Sequence, residues 1–200
     1  PIYAPVTGTY NSQSFTLTST GATSVNVNTT SSGNTVSAAS LSISGISIAN
    51  KVYDAATAAT ITGIPTLNGV LFSDDVTIGG TPSASFASSS VANGISVTVS
   101  GYSLSGTAAG NYSLTQPSGF TANITSRELT VAGAVAADKT YDGNTTASIT
   151  STGTLSGVQG SDVVSIASTG TFASANAGSN IVVALTLNGT SASNYSLTQP

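Results

Sequence analysis

Charge is scarce in this chain, and four residue types are missing from it. Only 5% of its 200 residues are charged, against roughly 25% in an ordinary soluble domain. Histidine, cysteine, methionine and tryptophan are absent. The lack of cysteine excludes disulfides and thiolate metal sites, and the lack of both histidine and cysteine excludes the usual activated nucleophiles. We therefore predict no enzyme active site, no cofactor and no metal site.

The few charges that remain also limit the partners. Three Lys and Arg residues stand against seven Asp and Glu, which gives a formal net charge of −4. A nucleic acid or an anionic membrane surface needs clustered cations, so neither is expected as a partner. No apolar run approaches the roughly 20 residues of a membrane-spanning helix. The sequence opens on Pro1 without a signal peptide, and we expect it to be a processed or excised piece of a larger protein.

What the chain does contain is typical of β-structure. Hydrophobic residues make up 39% of the sequence, and about a third of it is Ser or Thr. Leu41 to Ile48 and Ile95 to Val99 alternate apolar and small polar residues, and Ile181 to Leu187 is a β-branched counterpart of the second stretch. No segment shows a helical period. We predict an all-β chain of tandem small β-sandwich modules of the immunoglobulin-like kind, with β-grasp-like or partly open barrel modules as the alternative.

Two motifs occur twice and define a repeat. Lys51 to Asp54 returns as Lys139 to Asp142, 88 positions later, and Asn111 to Pro117 returns unchanged as Asn194 to Pro200, 83 positions later. This length exceeds a solenoid coil of roughly 20–50 residues and suits one small domain. We predict an N-terminal extended segment at 1–40, a first module at 41–126 and a second module at 127–200.

The second module stops before the final strand that the first one has. In the first module Phe120 to Thr125 follows the shared motif as a predicted strand, whereas nothing follows Pro200. A missing strand leaves unpaired backbone N–H and C=O groups on an open edge. The N-terminal segment offers candidate donor-strand residues, namely Phe15, Leu17, Val25 and Val27. We expect head-to-tail strand addition between copies, or else continuation of a longer covalent array.

The two motifs resemble the YDG repeats of large bacterial surface adhesins, including proteins of the filamentous-haemagglutinin type. The second copy carries Lys139, Tyr141, Asp142, Gly143, Asp162 and the closing motif with Tyr195. The first carries Lys51, Tyr53, Asp54, Asp74 and the closing motif with Tyr112, and it has Ala55 where the glycine is expected. The resemblance covers about residues 41 to 200 and implies an extracellular location on the bacterial surface.

Each module supplies a lysine, an aspartate and an asparagine in matching places. They are Lys51, Asp74 and Asn111 in the first module, and Lys139, Asp162 and Asn194 in the second. These are the ingredients of a self-forming isopeptide crosslink, in which a buried acid with a raised pKa moves protons and apolar neighbours keep the lysine neutral. The competing interpretation is a Lys–Asp ion pair, which contributes little to stability.

The Tyr-Asp pairs of the repeat have two interpretations. Tyr53-Asp54 and Tyr141-Asp142 either bind a ligand or are structural, with the tyrosine half-buried and the aspartate bonded to backbone amides of the next turn. A calcium site that adds Asp74-Asp75 is a weaker option. Calcium takes roughly six to eight oxygen ligands, and the chain has no Asp-x-Asp-x-Asp run.

Repetition of one module favours a structural role over a catalytic one. We predict a structural or adhesive segment of a bacterial extracellular surface protein or fibre, whose main partner is itself. The alternative is a carbohydrate- or receptor-binding module that recognises host or biofilm glycans. Glycan sites use aromatic faces, yet aromatic residues make up only 6% of this chain and none is Trp.

Overall fold

A computed structural model describes residues 8–10, 14–17, 25–28 and 34–200, with side chains from residue 35 onward. Within these ranges there is no α-helix, and the all-β class predicted from the sequence is confirmed. The first ten strands are β1 (Gly8–Tyr10), β2 (Ser14–Leu17), β3 (Val25–Asn28), β4 (Asn34–Val36), β5 (Ala39–Ile48), β6 (Lys51–Val52), β7 (Ala58–Ala59), β8 (Ile61–Asn68), β9 (Thr77–Phe86) and β10 (Ala92–Ser105). The others are β11 (Tyr112–Thr115), β12 (Phe120–Thr125), β13 (Arg127–Ala136), β14 (Thr146–Ser156), β15 (Ser165–Ile166), β16 (Thr169–Phe172), β17 (Val183–Ala184), β18 (Leu187–Asn188) and β19 (Tyr195–Thr198). Single 3-10 turns at Ala109–Asn111 and Ala192–Asn194 precede β11 and β19.

The closing motif occupies the same local structure in both repeats. β11 runs parallel to β5 with Tyr112 opposite Ala39, and β19 runs parallel to β13 with Tyr195 opposite Arg127. The alternation that predicted β5 serves to bury one face, because Leu41 and its counterpart Leu129 are both almost fully buried. The repeated sequence is therefore a repeated piece of backbone pairing.

Packing divides the chain into two compact units, each made of several segments. The first consists of Pro1–Ile46, Gly63–Ser83 and Val99–Pro117, and the second of Ser47–Thr62, Ala84–Thr98 and Ser118–Pro200. The first unit contains the pairs β1–β4 and β2–β3 and most of a three-stranded sheet of order β11-β5-β8. Its buried apolar side chains are Leu41, Ile43, Val99, Tyr102 and Tyr112. The module boundaries predicted from the sequence stay a prediction.

The second unit contains a hydrophobic core with side chains from both repeats. Its buried members are Tyr53, Phe86, Ile95, Val97, Ala122, Ile124, Leu129 and Tyr195. β12 lies between β6 and β10, with Ile124 opposite Lys51 on one side and opposite Ala92 on the other. A second sheet has the order β17-β16-β14-β13-β19. The junction between the repeats is thus part of a core, not an exposed linker.

The predicted donor residues lie in two strands that pair with each other. Phe15 is opposite Val27 and Leu17 is opposite Val25 in the antiparallel pair β2–β3. The side chains of these four residues lie outside the described part of the chain, and their role as donors stays a prediction.

Candidate functional site

The Lys-x-Tyr-Asp motif of the first repeat folds into a closed loop around its lysine. Lys51 donates to the Asp54 carboxylate at 2.7 Å and to the carbonyl oxygens of Ala56 and Ala58 at 2.6 and 3.0 Å. Asp54 also accepts the backbone N–H of Ala56. The ammonium thus has an acceptor for each of its protons, and the hydrogen bond from Lys51 lowers the pKa of Asp54. The Lys51 ammonium also lies 5.5 Å from the centre of the Phe86 ring.

The second repeat builds the same loop. Lys139 donates to Asp142 at 2.7 Å and to the backbone and side-chain oxygens of Asn144 at 2.7 and 2.8 Å. The hydrogen bond from Lys139 lowers the pKa of Asp142, and the Phe172 ring lies 5.8 Å from the ammonium. The turn that follows is shared as well, since Ala55 has φ 64° and Gly143 has φ 77°. In both repeats the motif therefore has the same structural role, in which the lysine holds the loop that follows it closed.

The aspartates predicted to face these lysines bond tyrosines instead. In the first repeat the Tyr112 hydroxyl donates to Asp74 at 2.8 Å and accepts the backbone N–H of Leu71 at 3.0 Å. In the second repeat the Tyr195 hydroxyl donates to Asp162 and accepts the backbone N–H of Gln159 at 2.9 Å. We call each arrangement an Asp–Tyr pair. The crosslink predicted from the sequence stays a prediction, and the ion pairs that the structure has are made with Asp54 and Asp142.

One Asp–Tyr pair also receives the motif tyrosine of the preceding repeat. Tyr53 is only 4% exposed, and its hydroxyl donates to Asp162 at 2.9 Å. The rings of Tyr53 and Tyr195 meet edge to face, with centres 5.3 Å apart and planes at 77°, which is a favoured aromatic geometry. The Ser191 hydroxyl donates to the other oxygen of Asp162 at 3.2 Å. Tyr53, Asp162 and Tyr195 form what we call the joint.

The electrostatics of the joint fix its protonation state. Burial, followed by the hydrogen bond to Asp162, raises the pKa of Tyr53 to about 12. Burial and Asp162 also raise the pKa of Tyr195. The hydrogen bond from Tyr195, and then those from Tyr53 and Ser191, lower the pKa of Asp162 against the opposing effect of burial. Two neutral tyrosines therefore donate to one ionised carboxylate near neutral pH, and such charge-assisted bonds are stronger than neutral ones.

The asparagines of the closing motif lie beside these pairs. Asn194 ends a 3-10 turn, and its side-chain oxygen accepts the backbone N–H of Val91 at 3.0 Å. This is a second polar link between the repeats. Asn111 ends the matching turn in the first repeat, where its backbone N–H donates to Ala108 at 3.0 Å.

The motif tyrosine of the second repeat lies in a different environment. Tyr141 is 65% exposed, against 4% for Tyr53. It lines a cleft of about 590 Å³ between residues 136–141 and 174–183, together with Lys139, Phe172 and Ile181. We call this the open cleft. Where the first repeat has the strand β6 at Lys51–Val52, the matching Lys139 and Thr140 are not in a strand.

Sequence reasoning singled out all three residues of the joint but did not connect them. Tyr53 and Tyr141 occupy identical places in the motif, so the motif carries no signal that one is buried and the other exposed. The signal that was available is the spacing: an aspartate and a tyrosine recur together as Asp74 with Tyr112 and as Asp162 with Tyr195.

Two further findings bear on the type of site. Among the described residues, no three acidic, histidine or cysteine side chains are grouped as metal ligands. The described part of the chain also has no helix with the length and apolar character to cross a bilayer.

The chain consists of two repeats of one β module, and side chains from both repeats contribute to one hydrophobic core. The pattern of the YDG domain matches the chain twice, at residues 37–119 and 125–200. These matches span most of the sequence, and the chain belongs to the YDG domain family. No curated protein and no solved structure is significantly similar to it.

Proposed function

We propose that this chain is a structural and adhesive segment of a bacterial extracellular surface protein or fibre, in which tandem YDG modules form a stiff spacer. Each module would be a small β-sandwich, and copies would add head to tail by strand pairing. The adhesin and surface setting is suggested by the YDG repeats that the sequence resembles. The observation that carries the mechanical part is the core shared by the two repeats.

The shared core supports a spacer because it couples the modules. Domains joined by a small polar interface move relative to one another by default. Here Tyr53, Ala122 and Ile124 of the first repeat are at least 95% buried in the same cluster as Leu129 and Tyr195 of the second. Bending the junction would expose these side chains and break the bond from Tyr53 to Asp162. The sparse charge, with a net value of −4, adds little repulsion along an array.

Two experiments test this function. When the chain is stretched between tags at its two ends in an optical trap, the junction should unfold in one step together with the second repeat, and Tyr53→Ala should divide that step. Two independent steps in the unchanged chain would contradict the spacer. Antibodies against the chain should label intact cells of the producing bacterium, and labelling only after lysis would contradict the surface location.

Glycan or receptor binding is the second candidate, and the open cleft favours it. An exposed tyrosine beside Asp138 and Asn180 in a cleft of about 590 Å³ offers a stacking face with polar neighbours, and pockets that bind small ligands are of this size. Phe72 is a further aromatic residue with 86% of its surface exposed. On a glycan array the chain should bind at least one sugar, and Tyr141→Ala should abolish that signal. An array without signal above background removes this candidate.

A further inference from the structure

In the first repeat, the strand β12 lies between two neighbours and covers one face of the core. It runs antiparallel to β10, with Ala122 opposite Ile95, and parallel to β6, with Ile124 opposite Lys51. Ala122 and Ile124 are the inward side chains of β12, and both are almost fully buried. They share one core cluster with four buried residues, namely Tyr53, Phe86, Ile95 and Val97. A single strand with both edges paired thus completes this face.

The second repeat has the same four core positions, but they are less buried. The backbone bond from Ala87 to Ser96 recurs 86 positions later, where Ala173 donates to Val182. The counterparts of the four residues are therefore Tyr141, Phe172, Ile181 and Val183. Tyr141 is exposed and the other three are half-buried. All four line the open cleft, which is thus the matching core face without a covering strand among the described residues.

Both edges that hold β12 in the first repeat have counterparts beside the open cleft. Ile181 to Val183 takes the place of Ile95 to Val97 in β10, and β17 is the outermost strand of its sheet among the described residues. On the other side, Lys139-Thr140 takes the place of β6. Unpaired strand edges are sites of strand addition. A segment that enters the cleft meets an edge on each side, so both of its own edges must be free.

Three further hydrogen bonds hold β12 in its place. The backbone N–H of Asn123 donates to the side-chain oxygen of Asn50 at 2.7 Å, and the side-chain oxygen of Asn123 accepts the Gly94 N–H at 2.8 Å. The backbone N–H of Tyr53 donates to the carbonyl oxygen of Thr125 at 2.9 Å. The position of β12 is therefore fixed by polar contacts as well as by its inward side chains.

The second repeat has matching groups at the rim of the open cleft. Asp138 stands 88 positions after Asn50 and replaces the amide acceptor with a carboxylate, and charged acceptors make the stronger hydrogen bonds. Asn180 stands 86 positions after Gly94 and has nearly the same left-handed backbone, with φ 54° against 63°. Asp138, Asn180 and Tyr141 all line the cleft. The cleft therefore repeats the polar contacts of β12 along with the apolar ones.

We propose that the open cleft is an acceptor site for one extended segment of a partner polypeptide that is unpaired on both edges and carries the pattern Phe-x-Ala-x-Ile of β12. The segment runs antiparallel to Ile181–Val183 and parallel to Lys139-Thr140, with its alanine opposite Ile181. One of its amides donates to Asp138, and its isoleucine packs against Tyr141. The inference rests on the proposed strand pairing between YDG chains, and it names the acceptor and the chemistry of the strand.

Titration calorimetry of the whole chain with a synthetic peptide tests the site. The peptide has the sequence of residues 118–126, which fills the matching place in the first repeat, and it should bind once per chain. A peptide with Ile124→Asp or Ala122→Asp should bind at least tenfold more weakly, because each change places a charge on the inward face. The matched control is Thr121→Asp, at an exposed position of β12, which should bind within about twofold of the unchanged peptide.

Variants of the chain locate the peptide. Asp138→Ala should weaken binding about tenfold, whereas Asp138→Asn should largely keep it, because Asn50 makes the same contact in the first repeat. Val182→Ser places the first-repeat residue at an exposed position and should bind like the unchanged chain. In amide NMR spectra, the peptide should shift residues 138–141 and 178–183. Circular dichroism should confirm that every variant is folded.

A chain that carries its own copy of the segment gives an independent test. Fusing the sequence of residues 118–126 directly after Pro200 reproduces the order of the first repeat, where the same closing motif precedes β12. The fused segment should fill the cleft, raise Tm and abolish binding of the free peptide. The control fusion carries Ile124→Asp, and it should leave Tm and peptide binding unchanged.

Three outcomes would overturn the inference: no binding of the peptide up to about 1 mM, equal binding of the peptide with Ile124→Asp, or shifted amides that lie outside the cleft. A chain that ignores the peptide but is labelled on intact cells and unfolds in one coupled step would remove the acceptor site and leave the proposed function standing. Specific peptide binding without surface labelling would do the reverse.

Discussion

Removing the hydroxyl of Tyr53 should destabilise the chain, while the same change at Tyr141 should not. A hydrogen bond to a charged group contributes about 1.5–3 kcal/mol. Asp162 keeps its bonds from Tyr195 and Ser191, so we expect Tyr53→Phe to cost about 1.5 kcal/mol, at the low end of that range. Tyr53→Ala also loses a buried ring and its edge-to-face partner and should cost about 4 kcal/mol. Small domains have a total free energy of unfolding of roughly 5–15 kcal/mol, so this loss is large.

The assay is urea unfolding followed by far-ultraviolet circular dichroism, with the free energy of unfolding extrapolated to water. The matched control is Tyr141→Phe, which changes the same motif position at 65% exposure and should stay within about 0.5 kcal/mol of the unchanged chain. Equal losses from the two substitutions would refute the reasoning, because they would show that the hydroxyl acts within its own repeat. A loss of stability in Tyr53→Phe but not in Tyr141→Phe would show that the Tyr53 hydroxyl stabilises the joint.

Four further predictions concern the turns after the motif, the backbone at Phe72, the pH dependence of stability and the isopeptide crosslink. Ala55→Gly should stabilise the chain by about 1 kcal/mol and Gly143→Ala should destabilise it by a similar amount, because both positions have a left-handed φ. Thermal melts measure both changes, and two changes of the same sign would contradict this explanation. Phe72→Gly should raise Tm, since Phe72 has φ 53° where the second repeat has Gly160 at φ 50°; an unchanged or lower Tm would contradict this. The raised pKa of Tyr53 should make stability depend on pH in the alkaline range. Its contribution should be complete below the unfolded pKa of about 10 and lost as the pH rises through the folded pKa of about 12, because the unfolded state releases this proton first. In urea titrations at alkaline pH, Tyr53→Phe should lack that loss. The intact mass should fall by one ammonia for each isopeptide bond, and a mass equal to the plain sequence would exclude the crosslink.

Much of the backbone could be predicted because its causes are local. The alternating residues of Leu41 to Ile48 fall in β5 and those of Ile95 to Val99 fall in β10, since a strand with one buried face needs that period. Phe120 to Thr125 is β12 as predicted. Ile181 to Leu187 is a weaker case, with strand only at β17 and the start of β18. Its β-branched residues favour a strand, but strand formation also needs a paired neighbour.

The joint could not be predicted because it depends on contacts between distant positions. Tyr53 and Asp162 are 109 positions apart, and low-complexity Ser/Thr-rich segments leave no periodic signal between them. The lysines and aspartates shared by both repeats looked like one set because they recur together. Their side chains instead belong to two separate arrangements, the loop closed by Lys51 and the pair closed by Tyr195.

The joint is made of residues from two successive repeats, and this has a consequence for how the number of repeats can change. At the junction of the two repeats, the first repeat supplies the motif tyrosine Tyr53 and the second supplies the Asp–Tyr pair of Asp162 and Tyr195. Duplication or loss of one whole repeat therefore regenerates the same interior junction, with no new complementary mutation required. Duplication or loss of only part of a repeat would leave a tyrosine hydroxyl or a carboxylate in the core without its hydrogen-bond partner. We therefore expect arrays of this module to differ in length by whole repeats.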